Sequence, residues 1–180
     1  MSLKFKILFI TIAIAFVVVI WLGIHILGGY LLLGSRPPAP SITRGEFDFR
    51  LEYEMNGERI VIEDTIIVEF DGFSTDAGAM AWYRTWRLHL ASDRQAEHLL
   101  LLVLDDGRRM YYNLGNPNYY MSDMSVEWSP PYFNGVFIIQ PGMNTSRENR
   151  EGLTHVALYE DFGIRLISWE HDPPITNTFR

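Results

Sequence analysis

The chain has 180 residues, a formal net charge of −7 and no cysteine, which excludes disulfide bonds, metal–thiolate sites and thiol catalysis. All 22 acidic residues lie after Gly45, where 11 arginines and no lysine accompany them, so this part carries a net charge of −11. It should repel anionic surfaces, and no nucleic-acid partner is expected.

The first predicted element is a membrane anchor. Residues 7–33 contain no Asp, Glu, Lys or Arg and directly follow Lys4 and Lys6. A helix of this length spans roughly 40 Å, more than the ~30 Å hydrocarbon core of a bilayer. A cleavable signal peptide, the alternative, has an apolar core of only about 7–15 residues and a small-residue cleavage site. The run therefore predicts one retained transmembrane helix that binds the lipid bilayer.

The orientation of this helix depends on its flanking charges. Lys4 and Lys6 precede it and Arg36 and Arg44 follow it, so the positive-inside rule favours neither orientation strongly. A short tail with two lysines is easier to retain than to translocate. We predict a cytoplasmic tail at residues 1–6, a single pass through the plasma membrane, and an extracytoplasmic carboxyl-terminal domain.

A proline-rich spacer is predicted between anchor and domain. Residues 34–44 include Pro37, Pro38 and Pro40, which favour an extended chain of about 3 Å per residue. Residues 45–180 have a usual size for one domain and can bury about two-thirds of the surface of the unfolded chain. We expect one β-rich extracytoplasmic domain.

The residues after the spacer alternate between apolar and polar, as in a half-buried β-strand. This pattern covers residues 47–55 and ends at Asn56-Gly57, a pair favoured in type I′ turns because both positions need positive φ. A hairpin to a strand at residues 58–70 follows. Further strands are predicted at residues 82–90, 99–104, 110–114, 136–140, 154–160 and 164–170.

The predicted fold is an all-β antiparallel sandwich or barrel preceded by the transmembrane helix. About eight strands with this much apolar surface must close on themselves or stack. Residues 99–104 are apolar on both faces, which predicts a central strand covered on two sides.

Two charged residues fall on apolar faces of predicted strands. Asp64 shares its face with Ile62 and Ile66, and Arg84 shares its face with Trp86. A buried lone charge costs several kcal/mol, and pairing is the usual remedy. One hypothesis is therefore a structural ion pair between Asp64 and Arg84. The alternative is a β-bulge at Asp64 that shifts the register and leaves both residues in water.

Several motifs resemble those of a group of single-pass membrane proteins from Gram-positive bacteria. They are GEF at 45–47, LEYE at 51–54, NGE at 56–58, EDT at 63–65, EFDGF at 69–73, YRTWR at 83–87 and YYMSD at 119–123. The chain differs at Ser122, where the group has glycine, so the turn there can differ. The resemblance covers most of the chain after the spacer. It implies a bacterial envelope protein and no activity, because none is assigned to that group.

No motif for catalysis, a metal or a cofactor is present. The five histidines lack ligand spacing such as H-E-x-x-H, and no serine lies in a G-x-S-x-G elbow. We predict no metal, no cofactor and no catalytic residue. Paired carboxylates for glycoside hydrolysis stay open as an alternative, although nothing in so acidic a chain selects a pair.

The remaining signal is aromatic and lies on loops rich in proline and asparagine. Tyr119, Tyr120 and Trp128, together with Asp123, are predicted to bind a ligand, because amphipathic rings on stiff loops suit sugars and peptides. The alternative is that these rings fill the β-core.

The sequence thus predicts a membrane-anchored binding or interaction domain without catalysis, whose partner is an envelope protein or a wall polymer. The alternatives are an acidic-residue hydrolase of an envelope polymer and a structural subunit of an envelope assembly. A deep cleft with two carboxylates within about 10 Å favours the enzyme. A flat aromatic patch favours binding.

Overall fold

The computed structural model describes residues 12, 14–23, 35–76, 81–123 and 135–179. Residues 12 and 14–23 are helical. Within these described ranges, no helix is both long enough and apolar enough to cross a membrane. The transmembrane helix predicted for residues 7–33 lies partly outside them and stays a prediction.

The described residues after the spacer form β-strands and short helices. The strands are β1 (Arg44–Met55), β2 (Glu58–Asp76), β3 (Ala81–Leu90), β4 (Leu99–Val103), β5 (Arg109–Tyr112), β6 (Val136–Ile139), β7 (Glu151–Gly152) and β8 (Ile164–His171). The helices are α1 (Pro117–Tyr120) and α2 (His155–Phe162), with a 3-10 turn at Arg147–Asn149. Two four-stranded sheets have the orders β3-β2-β1-β8 and β4-β5-β6-β7. The mostly antiparallel β-fold is confirmed.

Internal contacts divide the chain into two compact units. The units are residues 1–37 with 73–84, and residues 38–72 with 85–180. In the first unit, the Arg36 guanidinium carbon lies 5.1 Å from the ring centroid of Phe73 and 4.8 Å from that of Trp82. Exposed cation–π contacts contribute about 0.5–1 kcal/mol each, so these two contacts stabilise the packing of Arg36 against β2 and β3 within the unit.

The β1–β2 hairpin in the second unit follows from its turn. Asn56 and Gly57 have φ values of 53° and 86°, as a type I′ turn requires. The pairing then runs without a shift along the whole of β1, to Arg44 opposite Glu69. Because side chains alternate along a strand, this register gives the hairpin one apolar face and one charged face.

The apolar faces of both sheets contribute to one hydrophobic core in the second unit. Phe47 and Leu51 of β1 and Met110 and Tyr112 of β5 are all buried in it. The ring centroids of Tyr112 and Trp169 lie 4.9 Å apart, which joins β5 to β8. Full burial of one large apolar side chain contributes roughly 1.5–3 kcal/mol, so this core is the main source of stability.

The strand predicted at residues 154–160 is wrong, because the segment forms helix α2. The Thr154 hydroxyl oxygen caps its start by accepting a hydrogen bond from a first-turn N–H at 3.1 Å, and Gly163 ends it with a φ of 63°. Leu158 and Phe162, one turn apart, both pack on the core. The apolar residues of this segment therefore recur with the spacing of a helix and not with the alternation of a strand.

The prediction of a central strand at residues 99–104 is also wrong. Among the strands that the structure describes, β4 lies at the edge of its sheet, next to β5. Leu99 is buried, whereas Leu100 and Val103 are exposed. Apolar residues on both faces indicate that other elements can pack on both faces of a strand. They do not determine whether the strand lies at the centre or at the edge of its sheet.

Candidate functional site

Two of the residues predicted to bind a ligand are fully buried. The Tyr120 hydroxyl donates a hydrogen bond to the Leu114 carbonyl oxygen at 2.6 Å. Burial raises the pKa of Tyr120, which keeps the phenol protonated for this bond. The Asp123 carboxylate accepts a hydrogen bond from Trp86 Nε1 at 2.9 Å. Tyr120 and Asp123 therefore pack inside the domain, and ligand binding by them stays a prediction.

The other two predicted ligand-binding residues have different outcomes. Tyr119 is half-buried, and its ring centroid lies 5.4 Å from that of Tyr120 and 6.1 Å from that of His171. Trp128 lies outside the described residues. Ligand binding by Tyr119 and Trp128 stays a prediction.

The turn after α1 contains the residue that differs from the resembled group. Ser122 has a φ of 49°, a left-handed conformation that favours glycine and costs a side-chain-bearing residue on the order of 1 kcal/mol. Its hydroxyl donates a hydrogen bond to the Ile175 carbonyl oxygen at 2.5 Å. This bond connects the turn to the carboxyl-terminal segment and offsets the backbone cost.

Asp64 lies on the apolar face of β2, opposite Phe49. One of its carboxylate oxygens accepts a hydrogen bond from the Thr65 N–H at 2.7 Å, and the other accepts one from the Ser92 hydroxyl. Arg84 is buried. The β1–β2 register shows no bulge at Asp64, which is half-buried, so the alternative is wrong about the bulge and about the exposure of Arg84. The ion pair itself stays a prediction.

The opposite face of the first sheet contains most of the charges, and we call it the charged face. Its residues are Arg44, Glu46, Asp48, Arg50, Glu52 and Glu54 of β1, Arg59, Glu63 and Glu69 of β2, Arg87 and His89 of β3, Arg165 and Glu170 of β8, and Arg94 in the loop after β3. Two of its carboxylates are each surrounded by arginines, and these two clusters differ in geometry.

The first cluster surrounds Glu52, whose side chain is only 2% exposed. Its carboxylate accepts a hydrogen bond from Arg50 Nη1 at 2.8 Å and forms a second ion pair with Arg59. The hydrogen bond to Glu52 raises the pKa of Arg50. Direct contact with two guanidinium groups offsets the desolvation of this carboxylate, so the cluster is an internal structural element.

The second cluster surrounds Glu69, whose side chain is 24% exposed. Its carboxylate oxygens lie 3.7 Å from Arg44 Nε, 3.6 Å from Arg87 Nη2, 3.9 Å from Arg94 Nη2 and 3.6 Å from His89 Nε2. All four distances exceed normal hydrogen-bond lengths. Glu69 therefore attracts the three guanidinium groups without using their hydrogen-bond donors.

His89 forms the buried part of the Glu69 cluster. Its Nδ1 lies 3.1 Å from the Leu90 carbonyl oxygen, and a carbonyl only accepts, so Nδ1 carries the hydrogen. The buried Nε2 faces Glu69 and has no hydrogen-bond partner within the described part of the chain. The His89 imidazole thus places its Nε2 atom next to the Glu69 carboxylate on the buried side of the cluster.

A groove of about 610 Å³ lies beside β1, β2 and β8. Its lining residues are Asp48, Phe49, Arg50, Glu63, Asp64, Thr65, Glu170, His171 and Asp172. The Asp48 carboxylate accepts a hydrogen bond from the Thr65 hydroxyl at 2.6 Å, and the Asp172 carboxylate accepts one from the Asp48 N–H at 3.0 Å. Across the described ranges, no three His, Asp or Glu side chains are arranged to hold a metal ion.

Arg150 forms no ion pair with any carboxylate of the described residues. Its Nη2 donates to His98 Nε2 at 2.9 Å, its Nε donates to the Thr145 carbonyl oxygen at 2.8 Å, and its guanidinium lies 4.9 Å from the Phe137 ring centroid. Burial, and then the nearby Arg150 charge, lower the pKa of His98 from 6.5 to about 4. His98 is therefore a neutral acceptor above that pH.

Neither cluster is predicted from the sequence patterns above, although part of the signal is present in the chain. A two-residue turn at Asn56-Gly57 fixes the β1–β2 register, which places Arg44 opposite Glu69. Strand alternation then puts Arg87 on the polar side of β3. Arg94 lies in an irregular loop, and no sequence pattern places it.

Comparisons with protein-family models, with curated proteins and with solved structures found no match to this chain.

Proposed function

We propose that the protein is a membrane-anchored, extracytoplasmic binding domain of a bacterial envelope, without catalytic activity. The uncharged run at residues 7–33 supports the anchor, and the motif resemblance supports the envelope location. The observation that carries the recognition role is the open groove on the first sheet.

The groove suits binding better than catalysis. Asp48, Glu63, Glu170 and Asp172, which line it, are exposed, so bulk water enters freely. Active sites gain much of their electrostatic effect by excluding water. Asp48, Asp64 and Asp172 also accept hydrogen bonds from neighbouring protein groups, which ties their carboxylates to the local structure.

The charge of the groove defines the chemistry of its partner. Five carboxylates line it against one guanidinium, that of Arg50, so it attracts cationic groups and repels anions. The partner we propose is an envelope protein segment or a wall polymer that presents positively charged amines.

A cross-linking pull-down from intact envelopes tests this proposal. The experiment compares the full-length chain with a variant that lacks residues 7–33. If both recover the same partner, the domain and not the anchor recognises that partner. E63Q/E170Q, which neutralises two exposed groove residues, should reduce recovery at least about threefold. E97Q/E151Q, which makes the same charge change elsewhere, should leave recovery unchanged. A partner recovered only with residues 7–33 contradicts the proposal.

The carboxylates of the groove are also the observation that favours the alternative, hydrolysis of an envelope polymer by acidic residues. Incubation of purified wall glycan with the full-length chain distinguishes the binding function from the hydrolase function. We expect no release of reducing ends. Release that E63Q/E170Q abolishes and E97Q/E151Q retains would replace the binding function with the enzymatic one.

A further inference from the structure

The Glu69 cluster has more positive charge than its carboxylates neutralise. Three guanidinium groups, those of Arg44, Arg87 and Arg94, surround Glu69, and Arg44 also pairs with Glu46 at 2.7 Å. Three cations against two anions leave a net charge of +1, before any contribution from His89. This excess stands out because residues 45–180 together carry −11.

Two of these arginines have unused donors. Within the residues that the structure describes, the side chains of Arg87 and Arg94 make no hydrogen bond, and their ion-pair contacts are those to Glu69 at 3.6 and 3.9 Å. Their side chains are 58% and 77% exposed. A guanidinium carries five N–H donors in a planar fork, so most of the donors of both groups are available to a ligand.

Glu69 holds the arginines together and leaves their outer side open. Its side chain is less exposed than any of the three guanidinium-bearing side chains, and His89 beneath it is buried. The carboxylate reduces the mutual repulsion of the arginines, which keeps them close before a ligand arrives. An approaching anion meets guanidinium donors before it meets Glu69.

We propose that Arg44, Arg87 and Arg94 form a binding site for a phosphate group. A phosphate presents several anionic oxygens in a tetrahedral arrangement, which can accept hydrogen bonds from two or three guanidinium forks at once. The phosphate belongs either to a free ion or to a lipid headgroup, since both offer unesterified phosphate oxygens that accept hydrogen bonds from guanidinium groups. This site is distinct from the groove and does not depend on the function proposed for it.

Calorimetric titration of the full-length chain in neutral detergent micelles at low ionic strength tests the site. The probes are inorganic phosphate and a soluble short-chain phosphatidylglycerol. We expect saturable binding that R87Q/R94Q weakens at least about tenfold, because both forks lose their charge-assisted hydrogen bonds. R147Q/R165Q removes the same charge from two exposed arginines outside the cluster and should change the affinity less than about twofold.

The probe that binds more tightly identifies the source of the phosphate, and either result supports the site. Absence of saturable binding for both probes overturns the proposal. Equal weakening by R87Q/R94Q and R147Q/R165Q also overturns it, because the effect would then come from overall charge. If R87Q/R94Q fails to fold, R94Q alone, with a loop side chain that is 77% exposed, provides the same test.

Discussion

Glu52 and Glu69 lie on the same face of the same sheet, and both are surrounded by arginines, yet their surroundings differ. Glu52 is 2% exposed and touches two guanidinium groups directly. Glu69 is 24% exposed, and its four neighbours, three guanidinium groups and the His89 imidazole, stand 3.6–3.9 Å away. A buried carboxylate in direct contact stabilises the fold, whereas a partly exposed carboxylate at longer range leaves its neighbours available for a ligand.

The same residue types therefore serve two purposes, and distance and burial decide which one applies. If this interpretation is correct, equivalent substitutions in the two clusters should have unequal effects on stability, and changes to Glu69 or its arginines should appear mainly in phosphate binding.

The largest stability effect is expected for Glu52→Ala. The 2%-exposed Glu52 carboxylate makes direct contacts with two charged groups, each worth roughly 1.5 kcal/mol, so the free energy of unfolding should fall by about 3 kcal/mol. Urea denaturation followed by circular dichroism measures the change. Glu52→Gln, which keeps the side-chain volume, should lose less. A loss below about 1 kcal/mol for Glu52→Ala would remove the distinction between the clusters.

The second-largest effect on stability concerns His98, whose Nε2 accepts a hydrogen bond from Arg150. Arg150 forms no ion pair with a carboxylate of the described residues. The pKa of His98 is about 4 in the folded chain against 6.5 for an exposed imidazole. Between these pH values the unfolded chain takes up a proton that the folded chain does not, so stability decreases as the pH falls from 6.5 towards 4. The loss should reach about 2–3 kcal/mol.

Urea titrations between pH 4 and pH 7 measure this dependence on the wild-type chain and on His98→Gln. Carboxylates titrate in the same range, so the difference between the two chains isolates the histidine. His98→Gln keeps an acceptor for Arg150 but cannot be protonated, so its stability should depend less on pH. Identical pH profiles would show that His98 does not titrate in this way.

A smaller effect is expected for Glu69→Ala. Its arginine neighbours are exposed and hydrated, so the free energy of unfolding should decrease by about 1 kcal/mol. The measurement is the same urea denaturation, run in parallel with Glu52→Ala. A loss equal to that of Glu52→Ala would mean that the two clusters contribute equally to stability, and it would contradict a special role of direct contact and burial at Glu52.

The smallest effect is expected for Arg165→Gln. Arg165 Nη2 donates to the Glu54 carboxylate at 2.7 Å, but its own side chain is 64% exposed. Exposed pairs of this kind contribute little, so the change in free energy of unfolding should stay below about 0.5 kcal/mol. Thermal denaturation at low and high salt provides the check. A larger loss would show that short distance matters more than burial on this face.

The β1–β2 hairpin shows how much of the fold the sequence can predict. Strict alternation and an Asn-Gly turn are local signals, and together they define the strands, the register and the side chains that share a face. The contact between Arg44 and Glu69 follows from that register. The position of Arg44 in the Glu69 cluster is therefore predictable, and that of Arg94 is not, because its loop follows no periodic pattern.

Tyr120 and Asp123 show where prediction from sequence reaches its limit. Both residue types suit ligand binding, and their loop contains turn-forming residues. Their burial depends on how α1 packs between strands that are distant in the sequence, and no local pattern contains that information. Helix α2 is a different case, since Thr154 and Gly163 were available as capping signals.

The register of β4 has a consequence for how the protein behaves at high concentration. The pairing with β5 shifts between Leu100 and Leu102, so Leu101 is an extra residue in this apolar edge strand. Such a bulge interrupts the row of backbone donors and acceptors that another molecule would need for continuous pairing. We therefore expect the extra residue Leu101 to limit fibre-like aggregation through β4, whose apolar composition favours such aggregation.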